Sequence, residues 1–576
     1  MSSKTQVSGL VDCGSGVRLE RGVRCELSDG VTLVSDHYYP PGSGSHPTLL
    51  MRQPYGREIA STVVYAHPVW FARHGYNVVI QDVRGRGDSE GEFYPFRHER
   101  TDGAETIRWL RTRPESNGKV GMYGFSYHGA TQLLAASAQP EGLLCIAPGM
   151  TAHDLYHGWF YHNGALRLSS AMGWGFQLLK EDARRLGLRE GSAALEAAWL
   201  NVRGEPLRAP YRNHPVLLHE GMPAYVLNWF DHTHPSNYWA EMDISQSLLQ
   251  IKVPALHISG WFDTYLNGSI DGFLALTNHA GSEHARKNQY LIAGPWVHLP
   301  WGDLIGDRNF GKEALVDTDA MLLSWFNHWL KDSGEFNAEP KVRHFALGTE
   351  DWHSAETWHT GHKIELFLHS AGRANSRKRD GGLSVVQPTS EEPRDVFVYD
   401  PEVPVFGPGG PNSLSGPTNQ AALEMGNNLL VYSGAPLTEP VHVFGHPEVE
   451  IYCATSADSA DLVAKLVKVT LQGRAEFICI GIARSSHLFQ GSTYEPDAIH
   501  RWRFTPEPTS CVFFAGESIR LEIAGSAFPL YDRNPSVAGV KPCLADPLNW
   551  RRSTHMILHE PEHASLLRLP IVKGDA

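Results

Sequence analysis

The stretch Lys119-Val120-Gly121-Met122-Tyr123-Gly124-Phe125-Ser126-Tyr127-His128-Gly129-Ala130 decides how the chain is read. Its apolar first half has the composition of a short buried strand. The backbone then turns sharply at Ser126, and Thr131-Gln132-Leu133-Leu134-Ala135-Ala136 continues as a helix. A serine on such a turn is lifted above the sheet with its hydroxyl exposed. The tight backbone needs small neighbours, which Gly124 and Gly129-Ala130 supply. The helix start leaves N–H groups without intrahelical acceptors, and these can meet a developing negative charge. The usual form of this elbow is G-x-S-x-G. Here His128 stands at the second glycine position and Gly129 follows it. A Gly-x-Ser turn alone carries little weight, because both residues are common in turns. It gains weight only with a base, an acid and an oxyanion donor elsewhere.

The flanking sequence predicts an open parallel sheet around this strand. Val23 to Leu27, Ser28-Asp29-Gly30 and Val31 to Tyr39 read as a hairpin with a D-G turn. Thr48 to Met51 is a short apolar strand that enters the loop Arg52-Gln53-Pro54-Tyr55-Gly56-Arg57. Tyr76 to Asp82 is another, ending in the turn Val83-Arg84-Gly85-Arg86-Gly87-Asp88. Asp102 to Leu110 has helical spacing. Strands alternating with helices imply a parallel sheet covered on both faces. From about Thr151 to Gln250 aromatic and helical segments replace this alternation, which reads as a helical cap. The sheet resumes at Val253 to Gly260 and Gln289 to Gly294, and a helix over Ala320 to Leu330 closes it. Beyond about Lys341, alternating runs such as Lys363 to Leu368, Glu448 to Tyr452 and Ser518 to Ile523 are separated by turns such as Phe406 to Pro411. This is the pattern of a β-sandwich. The expected division is 1–150 and 251–340 for the α/β unit, 151–250 for the cap and 341–576 for a jelly-roll sandwich.

Composition narrows the function classes. The chain has 576 residues, 42% hydrophobic and 20% charged, as a globular protein has. A formal charge of −13 argues against a nucleic-acid partner, which would need a basic face. The sequence has no 18-residue apolar run, so no membrane span is expected. Met1 to Val7 lacks the apolar core of a signal peptide, and the seven cysteines are scattered without a C-x-x-C pair. Reduced thiols in the cytoplasm are the expectation.

Both return strands end in groups that the elbow would need. Ile258-Ser259-Gly260-Trp261-Phe262-Asp263 and Ala293-Gly294-Pro295-Trp296-Val297-His298 place Asp263 and His298 just past a strand. Ligands of open parallel sheets bind at the carboxyl ends of the strands, where Ser126 also lies. The order Ser, Asp, His is that of the α/β-hydrolases. In this arrangement His298 takes and returns the serine proton, and Asp263 fixes the imidazole tautomer. Each residue singly is better read as structural, since an Asp after a strand usually caps a turn and the chain holds 30 histidines. The three strand ends in this order outweigh that reading.

With these motifs in view, the chain resembles the CocE/NonD hydrolases, which include a cocaine esterase and a glutaryl-7-aminocephalosporanic acid acylase. They are related to the α-amino-acid ester hydrolases and the X-Pro dipeptidyl peptidases. The resemblance rests on Pro54 to Arg57, Asp82 to Gly87, Gly124 to Gly129, Gly260 to Asp263 and Gly294 to His298, with Tyr399-Asp400-Pro401 and Phe528-Pro529 in the sandwich. It implies a serine hydrolase acting on carboxylic esters or amides through an acyl-enzyme, with G-x-S-Y-x-G as the family's elbow. It also implies an oxyanion hole from the Tyr55 hydroxyl and the Tyr127 backbone N–H. Trp159 and Trp174 of the cap, and Tyr265 after the acid, match positions that line an acyl pocket. No cofactor and no metal are expected. The expected partner is a small ester or amide, with the oligomeric state left open.

Two rivals remain at this stage. His153 and His157, with Asp231-His232-Thr233-His234, raise a zinc hydrolase, though Asp154 stands where the zincin pattern wants Glu. A non-catalytic carbohydrate-binding protein would be expected to have lost a triad residue. Asp154, Glu181, Asp182, Glu220 and Asp231 leave recognition of an α-amine open, as an aminopeptidase of the X-Pro type would need.

Overall fold

The computed structural model describes all residues except 1–9, 59–61, 332, 334–335, 337–339, 359–360, 408–415 and 573–576. Met1 to Val7 and most of the turn Phe406 to Pro411 therefore lie outside the described residues. One mixed sheet of 11 strands carries the elbow. Its centre is parallel, in the order Asn77–Asp82, His46–Gln53, Ser116–Phe125, Leu143–Gly149, Ala255–Phe262, Gln289–Val297, Val342–Ala346. The hairpin Arg18–Glu26 and Thr32–Tyr39 adds antiparallel strands at one margin, and Asp351–Ala355 adds one at the other. The central strands are buried on both faces, which is why Asn77–Asp82 and Ala255–Phe262 show no exposed residue at all.

The expected boundary at 341 falls inside this sheet, because Val342–Ala346 pairs in parallel with Gln289–Val297. An alternating strand looks the same in sequence whichever sheet it joins, so periodicity could not assign it.

On one face, the elbow helix Tyr127–Ser137 shares a core with Ile107 and Leu110 of the helix Glu99–Arg111. On the other, Phe71 of Pro68–Arg73 packs with Leu322, Trp325 and Phe326 of Thr318–Lys331 against Tyr123 and Phe125. The segment after Gly149 forms the π-helical turn Tyr156–Phe160, a small hairpin, and the helices Leu168–Leu186, Arg189–Leu200, Tyr225–Asp231 and Asn237–Ala240. Trp159, Phe160, Phe176 and Trp229 of this cap join the same core as the elbow helix.

In the C-terminal part, one antiparallel run orders Asp395–Tyr399, Ser553–Leu558, Glu448–Thr455, Leu566–Pro570 and Lys363–His369. A second orders Leu429–Gly434, Ser518–Ala524, Asp461–Val469 and Ala475–Arg484, and the short Gly382–Ser384 joins the two. Leu366, Phe397 and Ile451 of the first run share a core with Leu430, Leu462 and Leu521 of the second, so the runs close as a sandwich. This unit grips the cap directly. Asp532 accepts the Leu166 N–H and returns its own N–H to the Leu166 carbonyl. Arg484 donates its backbone N–H to Asn163 while its guanidinium holds Asp461 and Asp532. Arg167 pairs with Glu507 at 3.1 Å, with both side chains buried.

Candidate active site

The strand Ser116–Phe125 ends at a residue whose backbone few side chains adopt. Ser126 has φ 61° and ψ −127°, a strained conformation that turns the chain at once into the helix. Gly124 permits it: a Cβ there would meet the His128 Cβ at 2.4 Å. Gly129 has the same duty toward Thr151, at 2.7 Å. Position 128 therefore tolerates a side chain, and the small residue is needed one place later.

Sheet register brings the partners in. Phe125 lies opposite Gly149, Gly149 opposite Ile258, and Phe262 opposite Val297. Asp263 and His298 thus leave adjacent strands side by side. His298 Nδ1 lies 2.7 Å from Asp263 Oδ1, and its Nε2 lies 3.0 Å from Ser126 Oγ. A carboxylate only accepts, so Nδ1 carries the proton and Nε2 is left to receive the one on Ser126. Asp263 is wholly buried, and Ser126 is 8% exposed. Burial opposes the charge on Arg167, yet Tyr531, Glu507 and Asp263 together raise its pKa.

Tyr127 and Tyr55 are held in different ways. The Tyr127 phenol points away from the serine, donating to Glu99 at 2.8 Å and accepting the Phe96 N–H at 2.9 Å. Glu99 also pairs with the fully buried Arg52 at 2.6 Å. This network fixes the first helical residue, whose own N–H has no acceptor within the helix. The Tyr55 loop is pinned by Arg57, which reaches Asp36, Asp82 and Asp88. Tyr55 Oη accepts the indole N–H of Trp174 at 2.9 Å. Burial pushes the Tyr55 phenol above the usual tyrosine range, against the pull of Trp174 and Arg86, so it keeps its proton.

The three expected pocket aromatics come together. Tyr265 stacks on Trp159 with centroids 4.0 Å apart and stands edge-on to the His298 ring at 5.0 Å. Trp174 lies 5.4 Å from Trp159. Sequence reasoning missed three neighbours. Phe96 stacks on Tyr127 and meets Trp159 edge-on, Trp229 lies flat on Trp174 at 5.1 Å, and Glu99 anchors Tyr127. A charged residue opening a helix looks like surface in a sequence, and isolated aromatics carry no spatial signal.

The histidines of the zinc rival do not converge. His157 bonds Asp154, His153 faces the Gly268 carbonyl, and His232 stacks on Tyr238. Among the described residues no group of three or more His, Cys, Asp or Glu side chains is arranged to hold a metal ion.

Comparison with known proteins supplies the family. Residues 29–300 match the model of the X-Pro dipeptidyl-peptidase (S15 family), and residues 334–568 match that of the X-Pro dipeptidyl-peptidase C-terminal non-catalytic domain. A cocaine esterase of Rhodococcus sp. (strain MB1 Bresler) is 32% identical, over 96% of this chain and 98% of its own. The chain belongs to the CocE/NonD family. It is accordingly a serine hydrolase of esters or amides. A CocE/NonD family hydrolase from Staphylococcus aureus shares the fold with TM-score 0.70 at 18% identity, over 96% of this chain and 94% of its own. An aminopeptidase from the marine sediment archaeon Thaumarchaeota archaeon does so with TM-score 0.79 at 24% identity, over 96% of this chain and 97% of its own.

Proposed function

We propose that this enzyme cleaves small carboxylic esters through an acyl-enzyme on Ser126. The relay of 3.0 Å and 2.7 Å from Ser126 through His298 to Asp263 carries the reading. His298 removes the serine proton as Oγ attacks the carbonyl carbon, then gives it to the departing alcohol. Water attacks the acyl-enzyme by the same route in reverse. The Tyr55 hydroxyl and the Tyr127 N–H stabilise the oxyanion in both steps.

Trp159, Trp174 and Tyr265 form the wall for the acyl group. Flat rings at this spacing favour a compact aromatic or branched apolar acyl group over a long chain. An acyl group without an α-amine fits best, because the cap carboxylates are already engaged. Asp154 holds His157, Glu181 holds Arg184, Asp182 holds Arg86 and Asp231 holds Arg212, while Glu220 is exposed. All seven cysteines are unpaired thiols, in keeping with a reducing cytoplasm. Among the described residues no helix is long and apolar enough to cross a membrane.

The test is Ser126→Ala assayed on an aryl ester. Turnover is expected to fall on the order of 10⁴-fold or more while the thermal midpoint stays close to that of the parent. Undiminished hydrolysis by the folded variant would sink the assignment.

A further inference from the structure

We propose that Trp174 is a positioning residue for the oxyanion donor, so that the cap completes the catalytic site through one indole N–H. The inference rests on the reading of Tyr55 as that donor.

The direction of the Trp174–Tyr55 bond is not in question. An indole nitrogen only donates, so Tyr55 Oη is the acceptor at 2.9 Å. A tyrosine hydroxyl has a single proton. Because the bond to Trp174 occupies an acceptor lone pair, that proton is free for another acceptor, which on the reading of Tyr55 as the donor is the oxyanion. A hydroxyl that accepts one hydrogen bond also donates a stronger one, because the two dipoles polarise each other. Trp174 therefore aims the Tyr55 proton and strengthens it.

Both ends of the bond are anchored. The Trp174 ring stacks on Trp229 with an interplanar angle of 2°, and Trp229 is itself 1% exposed. Phe96 and Trp159 close on it at 5.7 Å and 5.4 Å. Its helix, Leu168–Leu186, is tied down about two turns further on, where Asp182 receives Arg86 at 3.0 Å and the Tyr225 hydroxyl at 2.7 Å. Arg86 belongs to the glycine turn after the strand Asn77–Asp82, and Arg57 binds Asp82 of that strand and Asp88 of the turn. One short stretch of the sheet thus fixes both the loop that carries Tyr55 and the helix that carries Trp174.

A wall and a positioning residue make different demands on kinetics. A wall acts on the substrates large enough to touch it. A residue that aims the oxyanion donor acts on every substrate, and only in the transition state. The experiment compares Trp174→Phe, Tyr55→Phe and the double variant on 4-nitrophenyl acetate and 4-nitrophenyl benzoate. Trp174→Phe should lower kcat about 3- to 10-fold on both esters with KM nearly unchanged. It should weaken inhibition by phenylboronic acid, which forms a tetrahedral adduct on the serine, by a similar factor. In the Tyr55→Phe background it should add nothing further. Should Trp174→Phe fail to fold, 3-benzothienylalanine placed at position 174 keeps the bicyclic ring and removes only the N–H, and the same losses are expected.

The proposal is overturned if Tyr55→Phe lowers kcat while loss of the indole N–H leaves acetate turnover untouched. It is also overturned if the two single losses multiply in the double variant. A silent Tyr55→Phe would instead remove the oxyanion reading itself, and the inference with it.

Discussion

The two sides of the active site are built by different means. Ser126, Asp263 and His298 each follow the last residue of a strand in one sheet, and backbone ladders set their spacing. The facing side is assembled from Phe96, Trp159, Trp174, Trp229 and Tyr265, held by ring stacking across distant parts of the chain. The first side can shift only if the sheet shifts. The second can be repacked residue by residue. Rate should therefore be vested in the sheet and choice of substrate in the aromatic layer, with Trp174 as the bridge between them.

The strongest break of this contrast would come from Asp263→Asn. It keeps the side-chain shape but loses control of the His298 tautomer, and kcat should fall about 10⁴-fold with little change in KM. Steady-state kinetics on a small ester measures it. A loss under about tenfold would mean that another carboxylate serves as the acid.

His128 tests whether the sheet side is rigid for stability as well as for rate. Its ring is buried and neither nitrogen has a protein partner. Burial lowers its pKa from 6.5 to about 3, with His298 adding a smaller push in the same direction. Between those values the unfolded chain binds the proton and the folded chain does not, so stability falls as pH drops from about 6.5 toward 3. His128→Leu removes that loss. Relative to the parent, it should gain about 2 kcal/mol on going from pH 8 to pH 5, read from denaturant midpoints. The same difference between the two proteins at both pH values would show that the imidazole is not held neutral by the fold.

The smallest effect sharpens the other side. Trp159→Ala should lower kcat/KM for an aromatic acyl ester about tenfold more than for an acetyl ester, since only the larger group reaches that wall. Equal losses on both esters would make Trp159 a core residue and leave the acyl preference unsupported.

How much of this was legible in the sequence follows the same division. The elbow could be read because Gly124, Ser126 and Gly129 answer a local backbone demand. The meeting of Asp263 and His298 with Ser126 could be read because strand ends point to one edge of a parallel sheet. The stacking of Trp229 on Trp174 and the bond from Trp174 to Tyr55 could not. The latter joins residues 119 positions apart, and nothing in residue type or spacing encodes such a meeting. Glu99 escaped for a related reason. Its burial depends on Arg52 and Tyr127 arriving from other elements. The strand Val342–Ala346 was misplaced because alternation reports a half-buried strand and not the sheet to which it belongs.

The grip of the sandwich on the cap bears on how the gene can be edited. The two family segments look like exchangeable modules, yet residues 163–167 are clasped by Arg484, Glu507 and Asp532, and Leu347 is bridged to Cys511 beside the last parallel strand. Cutting the chain near the start of the second segment would strip acceptors from the cap hairpin, leave Arg167 buried without its counter-charge and bare a sheet margin to other chains. Shuffling between relatives should therefore exchange the hairpin and its three clasping residues as one block. A join drawn at the segment border would separate parts that fold as one body.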